Sequence, residues 1–249
     1  MTRVLLLGGT TEASQMARML AAAGIDAIFS YAGRTVTPRP QPLPVRTGGF
    51  GGAEGLAAWL CEAGISHVID ATHPFAARMS HNAIEACTAT GIPLLALERP
   101  PWVPDRGDDW RVVADAAGAV AALPDAAARV FLAIGKQWID AFAARPQHDY
   151  LLRLVDPPSD VLPLPRAEVV LARGPFTQEG DFALMQAYDI THVVAKNAGG
   201  VGAHAKLGAA RRLGLPVILI DRPAIPPRSV AGTPDEVMAW LGHPERLGV

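Results

Sequence analysis

Short apolar runs alternate with longer amphipathic stretches along this chain. Val4-Leu5-Leu6-Leu7 is a continuous apolar run ended by Gly8-Gly9, the pattern of a strand buried on both faces. Thr10 to Ala23 reads as a helix with Thr11 as its cap and Met16, Met19 and Leu20 on one stripe. Ile25 to Tyr31 is a second strand. Pro38, Pro40, Pro42 and Pro44 hold the next segment extended, up to a short strand at Val45-Arg46-Thr47. Ala53 to Ala63 is helical, Ser66 to Ala71 a strand, and Pro74 to Thr90 a helix with proline in its first turn. Pro93 to Leu97 is a further strand. Strands separated by helices predict βαβ units and a parallel sheet.

The pattern then repeats. Gly64-Ile65-Ser66-His67-Val68-Ile69 matches Asp189-Ile190-Thr191-His192-Val193-Val194 at an offset of 125. Thr47-Gly48-Gly49-Phe50 matches Arg173-Gly174-Pro175-Phe176 at 126, and Gly91-Ile92-Pro93 matches Gly214-Leu215-Pro216 at 123. Val112 to Leu123 resembles Val230 to Leu241 at 118, which leaves open the sheet each of these last strands joins. βα units share some of this chemistry by nature, but the ordered offsets favour duplication. The expected fold is α/β: two tandem Rossmann-like lobes with parallel sheets, residues 1–124 and 125–249, with cofactor and substrate in the interlobe cleft.

Composition narrows the class of partner. Half of the 249 residues are apolar and 18% charged, which excludes a disordered chain. The formal net charge of -2 carries no like-charged block, which argues against nucleic acid and anionic membrane as partners. The apolar runs are strand-sized, so no transmembrane helix is expected and the cytoplasm is the expected compartment. Cys61 and Cys87 lack metal or redox spacing, and His73 and His81 stand two helical turns apart, so no metal site is expected. Only three of the 22 basic residues are lysines: Lys136, Lys196 and Lys206.

Candidate chemistry clusters where strands end. Gly8, Gly9, Thr10, Thr11 and Glu12 form a strand–glycine–helix turn of the kind that cradles phosphate, although a third glycine of the dinucleotide fingerprint is missing. The second strand ends in Ser30 with Arg34 nearby, where an NAD site would carry a carboxylate. A hydroxyl and a guanidinium suit a 2′-phosphate, so NADPH is expected over NADH. Ala71, Thr72 and His73 follow the fourth strand, where ligands of doubly wound sheets bind. In the second lobe Lys196, Asn197, Gly199 and Gly200 end the corresponding strand, with Lys136 and Gly174 on neighbouring turns. That lobe's first turn has one glycine, Gly135, and no ribose-binding acid, so a second nucleotide site is not expected. No Tyr-x-x-x-Lys occurs, which removes the short-chain reductases.

Together these residues resemble the precorrin-6A reductase family of cobalamin biosynthesis. The carrying motifs are Leu7 to Ala13, Ser30 to Arg34, Asp70 to Ala76, Arg173 to Phe176, Lys196 to Gly200 with Lys206, and Val217 to Pro223. They span most of the chain in order. The resemblance implies hydride transfer from NADPH to C19 of the C18–C19 double bond of the macrocycle, with a proton delivered to C18. It implies NADPH contacts at Gly8 to Glu12, Ser30, Arg34 and Ala71 to His73. Lys196, Asn197, Gly199 and Gly200 would face a polyanionic tetrapyrrole. His73, Lys136, Lys196 and solvent stand as candidate proton donors. A cobalt-precorrin-6A reductase and an NADPH-sensing module without turnover are the alternative readings.

Overall fold

The computed structural model describes residues 2–33, 38–158 and 160–242. Its first run comprises β1 (Arg3–Leu7), α1 (Thr11–Ala22), β2 (Asp26–Tyr31), β3 (Val45–Thr47), α2 (Ala53–Glu62), β4 (His67–Asp70), α3 (Ala77–Thr90) and β5 (Leu94–Leu97). β6 (Trp110–Val113) and α4 (Ala116–Ala122) follow. The plan recurs as β7 (Arg129–Ala133), a 3-10 helix (Lys136–Ala144), β8 (Asp149–Leu154), β9 (Ala167–Leu171), α5 (Gln178–Ala187), β10 (His192–Lys196), α6 (Ala205–Leu213) and β11 (Val217–Ile220). The last pair is β12 (Val230–Ala231) and α7 (Pro234–Gly242).

Parallel pairing builds two six-stranded sheets, ordered β12-β5-β4-β1-β2-β3 and β6-β11-β10-β7-β8-β9. The orders are identical once each strand is replaced by its counterpart in the other half, with one reciprocal exchange. β6 lies in the first half of the sequence yet completes the second sheet beside β11, and β12 lies in the second half yet completes the first beside β5. Contacts therefore divide the chain into one unit of Met1–Pro100 with Ala224–Val249 and another of Pro101–Pro223. The single boundary expected between 124 and 125 is corrected by this exchange. The repeat marks β6-α4 and β12-α7 as equivalent, but equivalence does not fix which edge each one pairs with.

Alternation along β1 shows why the apolar run is continuous. Val4 and Leu6 pack with Met16 and Leu20 of α1 and with Val237 and Trp240 of α7. Leu5 and Leu7 pack on the opposite face with Leu56 and Leu60 of α2 and Ala83 of α3. In the second unit Phe131, Leu151, Val193 and Leu219 pack against Met185 of α5 and Leu207 of α6. Two local expectations are corrected. Thr10, not Thr11, caps α1. α3 starts at Ala77 because Pro74-Phe75-Ala76 first make a turn closed by the Ala76 N–H on the His73 carbonyl.

His148, fully buried ahead of β8, accepts a hydrogen bond from the Ala128 N–H at Nδ1 (3.1 Å), and its Nε2 is buried without a hydrogen-bond partner. Burial holds its pKa below the ordinary histidine value, aided by the charges of Arg145, His192 and Arg166 and opposed by Asp149. The unfolded chain therefore takes up this proton first. Stability contributed by neutral His148 is complete above about pH 6.5 and is lost as the pH falls through the depressed folded value. Urea unfolding between pH 7.5 and 5.5 is expected to show falling stability, with a shallower slope in His148→Gln; an equal slope would remove His148 as the cause. The exchange makes a second prediction. Residues 101–223 expressed alone are expected to melt cooperatively by circular dichroism. Residues 1–124, deprived of Ala231, Val237 and Trp240, are expected not to. A cooperative 1–124 fragment would contradict the division.

Candidate functional site

Strand order reverses between β1 and β4 in the first sheet and between β7 and β10 in the second, the positions where doubly wound sheets bind ligands. In the first unit the Gly8 N–H donates to the Ser30 carbonyl (3.0 Å), and a Cβ at Gly8 would stand 2.1 Å from the Phe29 ring. Gly9 has φ +128°, and the space a Cβ would take there is open. The Thr10 hydroxyl accepts from the Ala13 N–H (3.0 Å) and donates to the Ala71 carbonyl (2.9 Å), tying the start of α1 to the end of β4. Thr11 opens α1, whose first-turn amides have no intrahelical acceptors. Glu12 would oppose an anion here, but Arg99 neutralises it at 2.6 Å.

Asp70 anchors the neighbouring loop. Its buried carboxylate accepts from the Thr72 N–H (3.1 Å), the Thr72 hydroxyl (2.7 Å) and the Ser80 hydroxyl on α3 (2.6 Å). Burial together with the Asp70 charge pushes the nearby Cys87 thiol up to about 12, so that group is an inert thiol. His73 accepts the Phe75 N–H at Nδ1 (3.2 Å). That bond assigns the neutral ring proton to Nε2 and is broken by protonation at Nδ1, which suits a positioning donor better than a general acid.

At the end of β2, Ser30 is buried and its hydroxyl accepts from Arg46 of β3 (2.8 Å). Arg34, the cation expected here, lies outside the described residues. Sequence reasoning missed Arg46, although the Val45-Arg46-Thr47 strand beside a parallel β2 carried the signal: register sets Arg46 against Ser30.

The second unit spends several of its expected ligand groups on its own backbone. Both ends of the Asn197 amide are engaged by Trp102: Oδ1 accepts its N–H (2.8 Å) and Nδ2 donates to its carbonyl (3.1 Å). Asn197 is thus a structural clamp, which corrects its expected outward role. The Trp102 indole N–H donates to the Gly200 carbonyl (2.7 Å), and Arg222 donates to the Asn197 and Ala198 carbonyls. Gly199 and Gly200 are both left-handed (φ +68° and +69°), a conformation that residues with side chains rarely adopt. Lys196 Nζ lies 4.0 Å from the Trp138 ring centroid, and Lys136 donates to the Pro157 carbonyl (2.7 Å). Gly174 precedes Pro175, and a Cβ there would press on the Phe176 ring at 3.2 Å. Lys206 is buried and donates to the Ala203 carbonyl. The first unit thus brings Gly8 to Thr11, Ser30 and Ala71 to His73 to one sheet edge. The second brings Lys136, Lys196, Gly199 and Gly200 to the corresponding edge of its own.

Comparison with known proteins gives consistent matches over this whole architecture. A family model described as precorrin-6x reductase CbiJ/CobK matches residues 3–242. The chain is 64% identical over 241 residues to a precorrin-6A reductase of Rhodobacter capsulatus, covering 97% of this chain and 96% of that protein. It is 30% identical over 254 residues to a cobalt-precorrin-6A reductase of Priestia megaterium, covering 98% and 99%. Among solved structures, one titled CobK precorrin-6A reductase superposes with a TM-score of 0.95 at 64% identity, covering 97% of this chain and 96% of that one.

The double duty of Thr10 predicts a measurable cost. Thr10→Ala is expected to lower stability in urea by about 1–2 kcal/mol, and Thr10→Ser to retain most of it. Equal losses in the two variants would show that the methyl group, not the hydroxyl, supplies the effect.

Proposed function

This chain belongs to the precorrin-6x reductase family, and on that basis we propose that it reduces precorrin-6A to precorrin-6B at the expense of NADPH. The observation that carries the reading is the 64% identity, over nearly the full length of both chains, to the precorrin-6A reductase of R. capsulatus. The contrast between this 64% and the 30% identity to the cobalt-precorrin-6A reductase of P. megaterium favours the metal-free macrocycle as substrate.

The residues of the first unit fit the cofactor. The Gly8-Gly9 turn opens onto the positive end of a 12-residue helix, as a pyrophosphate requires. Ser30 stands where a carboxylate would select NADH. When bound, NADPH supplies the hydride that ends on C19, and C18 takes a proton. Thr72, held by Asp70, which also accepts from Ser80, and His73, which accepts the Phe75 N–H, follow β4 and orient the reacting end. In the second unit Lys136 and Lys196 supply positive charge for the carboxylates of the tetrapyrrole, and Gly199 and Gly200, left-handed and without side chains, form the loop that follows Lys196. The proton for C18 comes from Lys136, Lys196 or solvent. Among the described residues no helix is long and apolar enough to cross a membrane, and cytoplasmic NADPH chemistry is the setting we assign.

Mixing the protein with NADPH and precorrin-6A is expected to bleach the NADPH absorbance with one equivalent oxidised per macrocycle. Oxidation absent with precorrin-6A would overturn the proposal. In pH–rate profiles, loss of the fall in rate on the alkaline side in Lys136→Ala or Lys196→Ala would identify that lysine as the donor, and an unaltered profile in both would assign the proton to solvent.

A further inference from the structure

Resting on the reading that the first unit binds NADPH, we propose that Arg46 is the residue that recognises the 2′-phosphate of the cofactor. We further infer that the equivalent place in the second unit has been closed to nucleotides by Asp181.

Arg46 is held in a defined pose at the carboxyl end of the sheet. Parallel register pairs it with Ser30, whose hydroxyl accepts from the guanidinium (2.8 Å). The carbonyls of Gly48 (3.0 Å) and Gly49 (3.1 Å) take further N–H groups, and the guanidinium carbon sits 3.7 Å from the centroid of Phe50. None of these partners is a carboxylate. Stacking on Phe50 fixes the plane, and the side chain remains only partly buried, so a ligand can reach it. Burial holds the guanidinium below the usual arginine range, the direction expected of a desolvated cation with no carboxylate bonded to it among the described residues. The end of β2 is where nucleotide-binding sheets meet the adenosine ribose, and a 2′-phosphate supplies the missing negative charge in a shape that matches a guanidinium.

Duplication supplies an internal control. In the second unit Arg153 pairs with Val170 as Ser30 pairs with Arg46, and its guanidinium carbon lies 3.7 Å from the centroid of Phe176, the counterpart of Phe50. Here the charge is already neutralised. Asp181, the fourth residue of α5, forms an ion pair with Arg153, and both side chains are buried. The fourth residue of α2 is Leu56, fully buried and apolar. Among the described residues the same guanidinium-on-phenylalanine arrangement therefore has an internal anion in one unit and lacks it in the other. An ion pair buried in this way leaves nothing for a phosphate to neutralise.

The test compares NADPH with NADH in the wild type, Arg46→Ala and Arg46→Lys, and adds calorimetric titration with 2′,5′-ADP, a probe that needs no turnover. Arg46→Ala is expected to raise the KM for NADPH and the Kd for 2′,5′-ADP by about 10- to 100-fold. The KM for NADH should stay within about twofold of the wild type, which also shows that the variant folds. Arg46→Lys should fall between the two. An unchanged NADPH/NADH ratio in an active Arg46→Ala enzyme, or an equal rise for both cofactors, overturns the assignment of Arg46 alone. Wild-type protein that binds neither NADPH nor 2′,5′-ADP overturns the parent reading and this one with it.

Discussion

A parallel sheet cannot leave the inner edge of an outer strand unpaired without cost, because each exposed N–H and C=O then depends on water. β5 and β11 both present such an edge, and in each case the strand that closes it comes from the other half of the sequence. The chain must therefore cross from one unit to the other twice, at Pro100-Pro101 and at Pro223-Ala224. The crossing segments also supply side chains that brace the loops at the switch points. Arg99 neutralises Glu12 in the first turn of α1, and Arg228 pairs with Glu98 beside the β4 loop. Trp102 holds Asn197 and Gly200, and Arg222 holds the Asn197 and Ala198 carbonyls. Closing two sheet edges and bracing the loops at the two switch points are thus consequences of the same connections.

The two units share a scaffold and differ in electrostatics. After β1 the chain enters a capped 12-residue α-helix through two glycines; after β7 it enters a 3-10 helix through one. A 3-10 segment has poorer hydrogen-bond alignment, so the second switch point offers a weaker dipole to a phosphate. Its cations are spread instead over several turns, Lys136 against the Pro157 carbonyl and Lys196 against Trp138.

Local physics was legible in the sequence. The apolar run at Val4–Leu7, the three-residue strand at Val45–Thr47, the glycine turn after β1 and the repeat itself all follow from side-chain pattern within a few residues. What escaped depends on partners distant in sequence. The pairing of Val230 with Ala96, of Asn197 with Trp102 and of Arg46 with Ser30 is set by which surfaces are left open after the elements form. Periodicity carries no record of that choice. Asn197 illustrates the limit well: an amide at a strand end reads as a ligand donor until its backbone partner, 95 residues earlier, is known.

The reciprocal exchange of β6 and β12 also has a bearing on how the polypeptide is made. Synthesis runs from the amino end, so the first sheet waits with an open β5 edge until Val230 and Ala231 have left the ribosome. The second unit is contiguous from Pro101 to Pro223 and has all six of its strands before that moment. Domains that fold as they emerge ordinarily finish in the order they are translated. Here the unit that begins first is completed last, and the glycine turn after β1 acquires its finished sheet only after all six strands of the other unit have been made.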